Sequence, residues 1–439
     1  MRQPSLPAPS KRQIAVSTLF LATGLALPFY AFPVVSISGK AIDLATIFAA
    51  LFLSASIPEL RVAPRAERVL LVIALAVPLL ALTPPVSHGF DFRQFFFSYA
   101  HWALVVAFFF AALRQRLSEA DRRRLAAALV ALGAAVAAFA LDQAVGIPRH
   151  WPATGPVLLS FQREPMRFDS RPGYVRPTAT FLEPGWLGGY LAWILVLAVP
   201  LLTAGGGRRV ARLARVAAVE VLMLALFATV SWGAYADLAA GLGVAALTLR
   251  KEARVRRRLP VPLGAAVLVG ILLVFGSSPG RQVFGVVRSR LGALIHTPLR
   301  TEALESEIRD TSWVRYQNLR HERDLFLAHP LGGVGLGQFP RYAGPASAPD
   351  PNLVDPWCGW LAIAAQMGVL GPILLVVAFF LTGRRYRLSA DGALHLAAPA
   401  ILGVAAVMQL HTGSFIDLWW WYPMSLAAVA TAGDESAVS

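Results

Sequence analysis

The sequence predicts an all-α, polytopic membrane protein of about twelve transmembrane helices, forming a single integral membrane domain over 1–439 with two long loops. Three observations predict it. Hydrophobic residues make up 56% of the chain and the mean hydropathy is +0.58, too apolar for a soluble enzyme of 439 residues. Apolar runs approaching or exceeding the ~20 residues needed to cross a bilayer as a helix recur along its length. The basic residues fall in short clusters between alternate runs. That placement, rather than a basic groove, explains the net charge of +15 and argues against a nucleic-acid partner.

The apolar runs lie near 14–33, 41–58, 69–83, 94–113, 125–146, 185–204, 216–231, 233–249, 260–277, 357–382, 392–410 and 415–431. The first lacks a small-residue cleavage site after it and reads as a retained helix. Only Ser231-Trp232-Gly233 separates the seventh and eighth, which implies a tight turn. The N-terminus and five alternate connections, at 61–68, 114–124, 208–215, 250–258 and 384–387, hold 24 of the 40 basic residues. The short connections on the other side hold Lys40 and Arg93. An even helix count and this bias place both termini in the cytoplasm.

The other 14 basic residues are all arginine and lie in two long loops on the far side, 147–183 and 278–355. Long loops escape the positive-inside rule, and acidic residues nearly balance these arginines, as on a folded polar surface. Within the second loop, 311–328 reads as a helix capped by Asp310, carrying Arg315, Arg320 and Arg323 and ending at His329-Pro330. The run LGGVGLGQF, Leu331 to Phe339, follows. No βαβ unit surrounds it, so it is not a dinucleotide fingerprint. Its glycines allow tight turns and close backbone approach, with amides available to an anion.

The first loop leads into RPTATFLEPGWLGGYL, Arg176 to Leu191, where a polar segment becomes a spanning helix. Arg176 and Glu183 therefore stand where water meets hydrocarbon. Pro184 suits the first turn of the helix, and Gly188 and Gly189 admit a close neighbour. Cys358 is the only cysteine, so no internal disulfide forms. No His, Asp or Glu set has metal-ligand spacing, and no cofactor is expected. The remaining histidines, His411 among them, are scattered and read as packing or interfacial residues.

The two loop signatures together resemble the O-antigen ligase and O-antigen polymerase superfamily. RPTATFLEPGWLGGYL is similar to that family's R-x-x-x-(T/S)-F-x-x-P entry to a helix. Arg315 through HPLGGVGLGQF resembles its R…P-L-x-G-x-G-x-G-x-F block in the large periplasmic loop. The helix WCGWLAIAAQMGVLGP, Trp357 to Pro372, resembles one that usually begins His-Asn. The likeness covers roughly Arg176 to Pro372, and the ends only by hydropathy.

That resemblance implies a fold like the class C glycosyltransferases in a bacterial inner membrane, with both loops periplasmic. It implies a metal-independent transfer of glycan from a polyprenyl-diphosphate carrier to a sugar hydroxyl, with Arg176, Arg315 and Arg323 holding the diphosphate. Arginine fits that role because it stays ionised and meets phosphate bidentately. The resemblance further implies a polysaccharide polymerase working beside a chain-length regulator or flippase. The alternative within the class is a ligase onto a lipid A core; from other classes, a transporter or a non-catalytic subunit of an export complex. At two places the chain departs from the pattern: Trp357-Cys358 stands at the His-Asn position, and Ser231-Trp232-Gly233 where Ser-Arg-Gly is usual. The base then falls to Glu183, Asp355, Asp350 or His329, with Glu183 also able to orient Arg176. Arg176 itself is expected to be water-exposed and to contribute little to folding.

Overall fold

The computed structural model describes residues 10–29, 33–37, 40–82, 90–146, 176–181, 183–203, 209–249, 311–342, 356–388, 393–413 and 415–431. Among them are thirteen helices: α1 Lys11–Ala26, α2 Leu44–Arg61, α3 Arg65–Ala76, α4 Phe92–Leu113, α5 Glu119–Gly146, α6 Pro184–Thr203, α7 Arg209–Ala228, α8 Trp232–Leu249, α9 Thr311–Ala328, α10 Gly359–Met367, α11 Leu370–Leu388, α12 Ala393–Met408 and α13 Leu418–Thr431. The fold is all-α apart from one small hairpin, β1 Pro33–Ile37 against β2 Lys40–Asp43. Among the described residues, five helices are long and apolar enough to cross a membrane: α1 with the 3₁₀ turn that extends it, α2, α4, α5 and α6. The apolar run at 260–277 and the Asp310 cap lie outside the described residues.

One connection takes a definite structure, and one expectation is corrected. The connection between the first two runs is the β1–β2 hairpin, and Asp43 at its end caps α2 by accepting the Thr46 N–H at 2.8 Å. The apolar run 357–382 is not one helix. It breaks at Gly368, whose φ of +65° ends α10, and α11 begins two residues on. A Cβ at Gly368 would strike the carbonyl of Leu331, so the break is also where the glycine-rich loop docks.

The basic clusters that fall on described residues gather at one end of the bundle. Glu67, at the start of α3, faces Arg114 just past the end of α4 at 3.7 Å and Arg385 near the end of α11 at 3.8 Å. Arg12 pairs with Glu59, joining the start of α1 to the end of α2. Arg215 of α7 reaches the Leu201 carbonyl near the end of α6 at 2.5 Å. Each contact joins a helix start to a helix end, the pattern of antiparallel neighbours.

Helix α6 is the most enclosed of these five long apolar helices, with Leu187 and the stretch 190–198 buried. It packs on α7, α8 and α12. Small residues set these approaches: Gly188 meets Ala234 of α8, Gly189 meets Met408 of α12, and Gly241 of α8 meets Val404 and Val196. Where lipid is as apolar as the side chains, such close packing rather than water exclusion holds helices together. In the same core, a group of rings ties α1, α2, α4 and α13, with Phe20 stacked 4.9 Å from Tyr422 and Phe52 4.9 Å from Phe108.

Candidate functional site

The end of the bundle opposite the arginine clusters holds the polar machinery. Arg176 enters it just before α6. Its Nε donates to the Thr229 carbonyl at 2.9 Å and its Nη2 to the Val230 carbonyl at 3.3 Å. These are orphan acceptors at the C-terminus of α7, the negative end of that helix. The expectation of a water-exposed arginine is therefore corrected: Arg176 is half-buried and braces a helix end. Two non-glycine residues with left-handed backbone flank this contact, Ala179 at φ 49° in the loop of Arg176 and Val230 at φ 47° in the α7–α8 turn. Gln143 of α5 clamps the first, its Oε1 accepting the N–H groups of Thr178 at 3.2 Å and Ala179 at 2.7 Å.

Three residues beyond Val230, Gly233 carries the imidazole of His411 from the end of α12. His411 Nε2 lies 2.9 Å from Oδ1 of Asp237, which is fully buried on α8. On the same side, the turn after α12 packs on the start of α10: a Cβ on Gly359 would meet Gln409, and one on Gly413 would meet Pro356.

The start of α10 has no side-chain cap of its own. Glu322, fully buried on α9, supplies one from another helix. Its Oε1 accepts the N–H of Trp357 at 2.5 Å and of Cys358 at 3.3 Å, while Oε2 meets no hydrogen-bond partner among the described residues. Burial pushes the Glu322 carboxyl up to about 7, against the two backbone hydrogen bonds that favour its charged form. Asn318, His321, Glu322 and Leu325 recur at helical spacing on one side of α9 and are half-buried or buried. Burial holds His321 below the usual histidine range.

The glycine-rich loop also finds a definite place. Val334 N–H donates to the Ala365 carbonyl at 2.8 Å and Gly335 N–H to the Gln366 carbonyl at 3.0 Å, while Gly337 N–H donates to Gln366 Oε1 at 2.8 Å. The loop thus caps the C-terminus of α10, and those amides serve a helix end rather than an anion. Gln338 then exchanges two hydrogen bonds with the backbone of Asp91, just before α4, and Arg341 pairs with the Asp91 carboxylate at 3.0 Å. The Gln94 N–H, and after it Arg341, hold the Asp91 carboxyl below the usual carboxylate range.

No family model matches the chain, and no curated protein matches it. The likeness to the O-antigen ligase and polymerase superfamily thus rests on the sequence motifs, and the residues they single out are placed as follows. Glu183 is exposed immediately before α6. Arg323 is exposed on α9 and paired with the adjacent Asp324 at 2.7 Å. His329 follows the end of α9, where its N–H continues the helix to Leu325 and its ring stands 6.1 Å from that of Tyr342. Arg315 belongs to α9, but its side chain lies outside the described residues, as do Asp355 and Asp350. Among the described residues no three His, Cys, Asp or Glu side chains converge as metal ligands would.

Three groups were not singled out in the sequence as site residues: the half-buried His411 and the buried Asp237 and Glu322. Asp237 carried a signal, a lone carboxylate inside an apolar run. Its partner lies 174 residues away in the chain, and no local pattern joins them.

Proposed function

We propose that this chain is a metal-independent membrane glycosyltransferase that transfers glycan from a polyprenyl-diphosphate carrier to a sugar hydroxyl, with inversion, and that it acts as a polysaccharide polymerase. The carrying observation is one juxtaposition. At the bundle end opposite the arginine clusters, Arg176 is fixed on the α7–α8 turn, and Gly233, three residues beyond Val230 in the first turn of α8, carries the ring of His411, which pairs with Asp237 one turn further along that helix. A cation held in orientation beside a proton acceptor is what departure of a diphosphate and activation of a hydroxyl require. With both termini in the cytoplasm, that end faces the periplasm, where a lipid-tethered donor would present its diphosphate at the membrane surface. Arg315 and Arg323 of α9 belong to the long loop that would cover the donor, and Glu183 stands at the rim beside it.

The test is reconstitution. The full chain in lipid nanodiscs, given the lipid-linked repeat unit extracted from producing cells, should lengthen the glycan and release polyprenyl diphosphate in the presence of excess chelator. Absence of transfer with or without divalent cations would overturn the reading, and transfer restored only by metal would remove the metal-free mechanism.

A further inference from the structure

We propose that His411 is the general base of this transfer and that Asp237 is the residue that positions it, an inference that rests on the glycosyl-transfer reading. His411 Nε2 lies 2.9 Å from Asp237 Oδ1. The carboxylate is completely buried, whereas a fifth of the imidazole side chain is exposed, so the pair runs from the bundle interior to an accessible edge. A carboxylate enclosed in an apolar bundle needs a donor, and the imidazole N–H supplies it. With Nε2–H given to Asp237, Nδ1 becomes the accepting nitrogen.

The surrounding packing holds the ring close to α8. A Cβ on Gly233 would overlap His411 Nδ1 first and would fall 2.5 Å from Cε1 and 2.7 Å from Cγ, so the Nδ1 side of the ring rests against this glycine and only the absence of a side chain there leaves room beside Nδ1. One nitrogen edge meets Asp237. On the far side of the carboxylate, a Cβ on Gly189 would come within 3.6 Å of Asp237 Oδ2, which has no hydrogen-bond partner among the described residues. Helices α6, α8 and α12 thus enclose the acid and leave the base at the rim. A purely structural ion pair would not need one member at the surface. The turn that leads into Gly233 and α8 carries the carbonyls of Thr229 and Val230 that hold Arg176.

The step balances as follows. The acceptor hydroxyl gives its proton to His411 Nδ1 as its oxygen forms a bond to the anomeric carbon of the donor. The bond from that carbon to the diphosphate oxygen breaks, and its electron pair leaves on the polyprenyl diphosphate. The imidazolium is stabilised by the Asp237 carboxylate until the proton passes to water.

The experiment compares wild type, Arg176→Lys, His411→Gln, His411→Ala and Asp237→Asn in nanodiscs with the extracted lipid-linked repeat unit, and measures polyprenyl diphosphate binding separately. In His411→Gln, kcat should fall by about 10²- to 10⁴-fold, with donor KM and carrier binding little changed. Added imidazoles should restore turnover to His411→Ala in order of their basicity, which a merely structural role would not produce. Asp237→Asn should lower kcat while carrier binding persists. If wild type transfers and His411→Gln keeps kcat within about tenfold, or rescue ignores basicity, the base assignment falls and the transfer reading stands. If wild type transfers nothing, both fall together. Should His411→Gln fail to fold, Asp237→Asn decides, and an unchanged kcat there overturns the pair's role.

Discussion

Arg176 donates to the carbonyl of Val230, and Val230 is a β-branched residue held at φ 47°. Helices that end in a left-handed residue usually place glycine there, and a valine in that conformation costs on the order of 1–3 kcal/mol. The guanidinium on the last carbonyls of α7 offsets part of that cost. Arg176 therefore has two consequences where the sequence suggested one.

Arg176→Lys should lose both stability and transfer. A lysine ammonium cannot reach the Thr229 and Val230 carbonyls with the fixed spacing of Nε and Nη2. Loss of charge-assisted bonds at a half-buried site should lower stability by about 2 kcal/mol. Loss of a fixed cation in the transition state should lower turnover roughly a hundredfold. Thermal unfolding in detergent and polymer yield in complemented cells measure the two separately. A normal melting temperature would mean that the carbonyl bonds contribute nothing.

Gly333→Ala should be among the most damaging single-methyl changes in the chain. Gly333 has φ +66°, and a Cβ there would overlap the backbone of Gln366 and Met367 at the end of α10. Strained backbone alone costs on the order of 1–3 kcal/mol, and the overlap with fixed backbone adds to it. Gly243→Ala is the control, since nothing lies within 4 Å of a Cβ at that position. Folded yield after detergent extraction should drop for the first and hold for the second; equal yields would show that the loop is not clamped on α10.

What the sequence disclosed was mostly local. Apolar runs located helices among the described residues because a continuous apolar stretch of bilayer length is a local pattern, although the run 357–382 breaks at Gly368. Helix α9 was legible to its ends, and Pro184 begins α6 as expected. The close approaches at Gly188 and Gly189 were legible too, though not that α8 and α12 would make them. The glycine-rich run declared its turns but not their purpose, because an amide free to bind an anion and one capping α10 have the same sequence. That Arg176 also braces a helix end was not legible, since RPTATFLEP does not say which terminus it will meet. The His411–Asp237 and Glu322–Trp357 contacts were beyond reach, as each depends on the packing of separated helices.

The helix-end contacts of the basic clusters carry a topological prediction. Glu67, Arg114 and Arg385 meet at one end, and the arginine-rich segment 250–258 follows α8, which begins at the other. A periplasm-active reporter fused after Arg258 should be silent, and one fused after Pro279 active, with a spanning segment between them. Activity at Arg258 would invert the orientation, and silence at both sites would remove the span between them.

Glu322 gives the chain a pH dependence whose sign is fixed by burial. Its carboxyl is raised from an ordinary value of 4.5 to about 7 by desolvation on α9, outside the spanning helices. Below about pH 4.5 the group is protonated in both the folded and unfolded chain, so it costs nothing. As pH rises from there to about 7, the unfolded chain releases a proton that the folded chain retains, and stability falls. Above about pH 7 the loss is complete, on the order of 3 kcal/mol. Glu322→Gln keeps an oxygen for the Trp357 and Cys358 N–H groups and cannot ionise. The variant should match wild type near pH 5 and exceed it in melting temperature near pH 8, with the difference opening between those values. Other titrating groups are common to both proteins and cancel in that difference. A gap that is constant with pH, or that closes as pH rises, would mean that Glu322 is ionised at no cost and is partnered more fully than its bare Oε2 indicates.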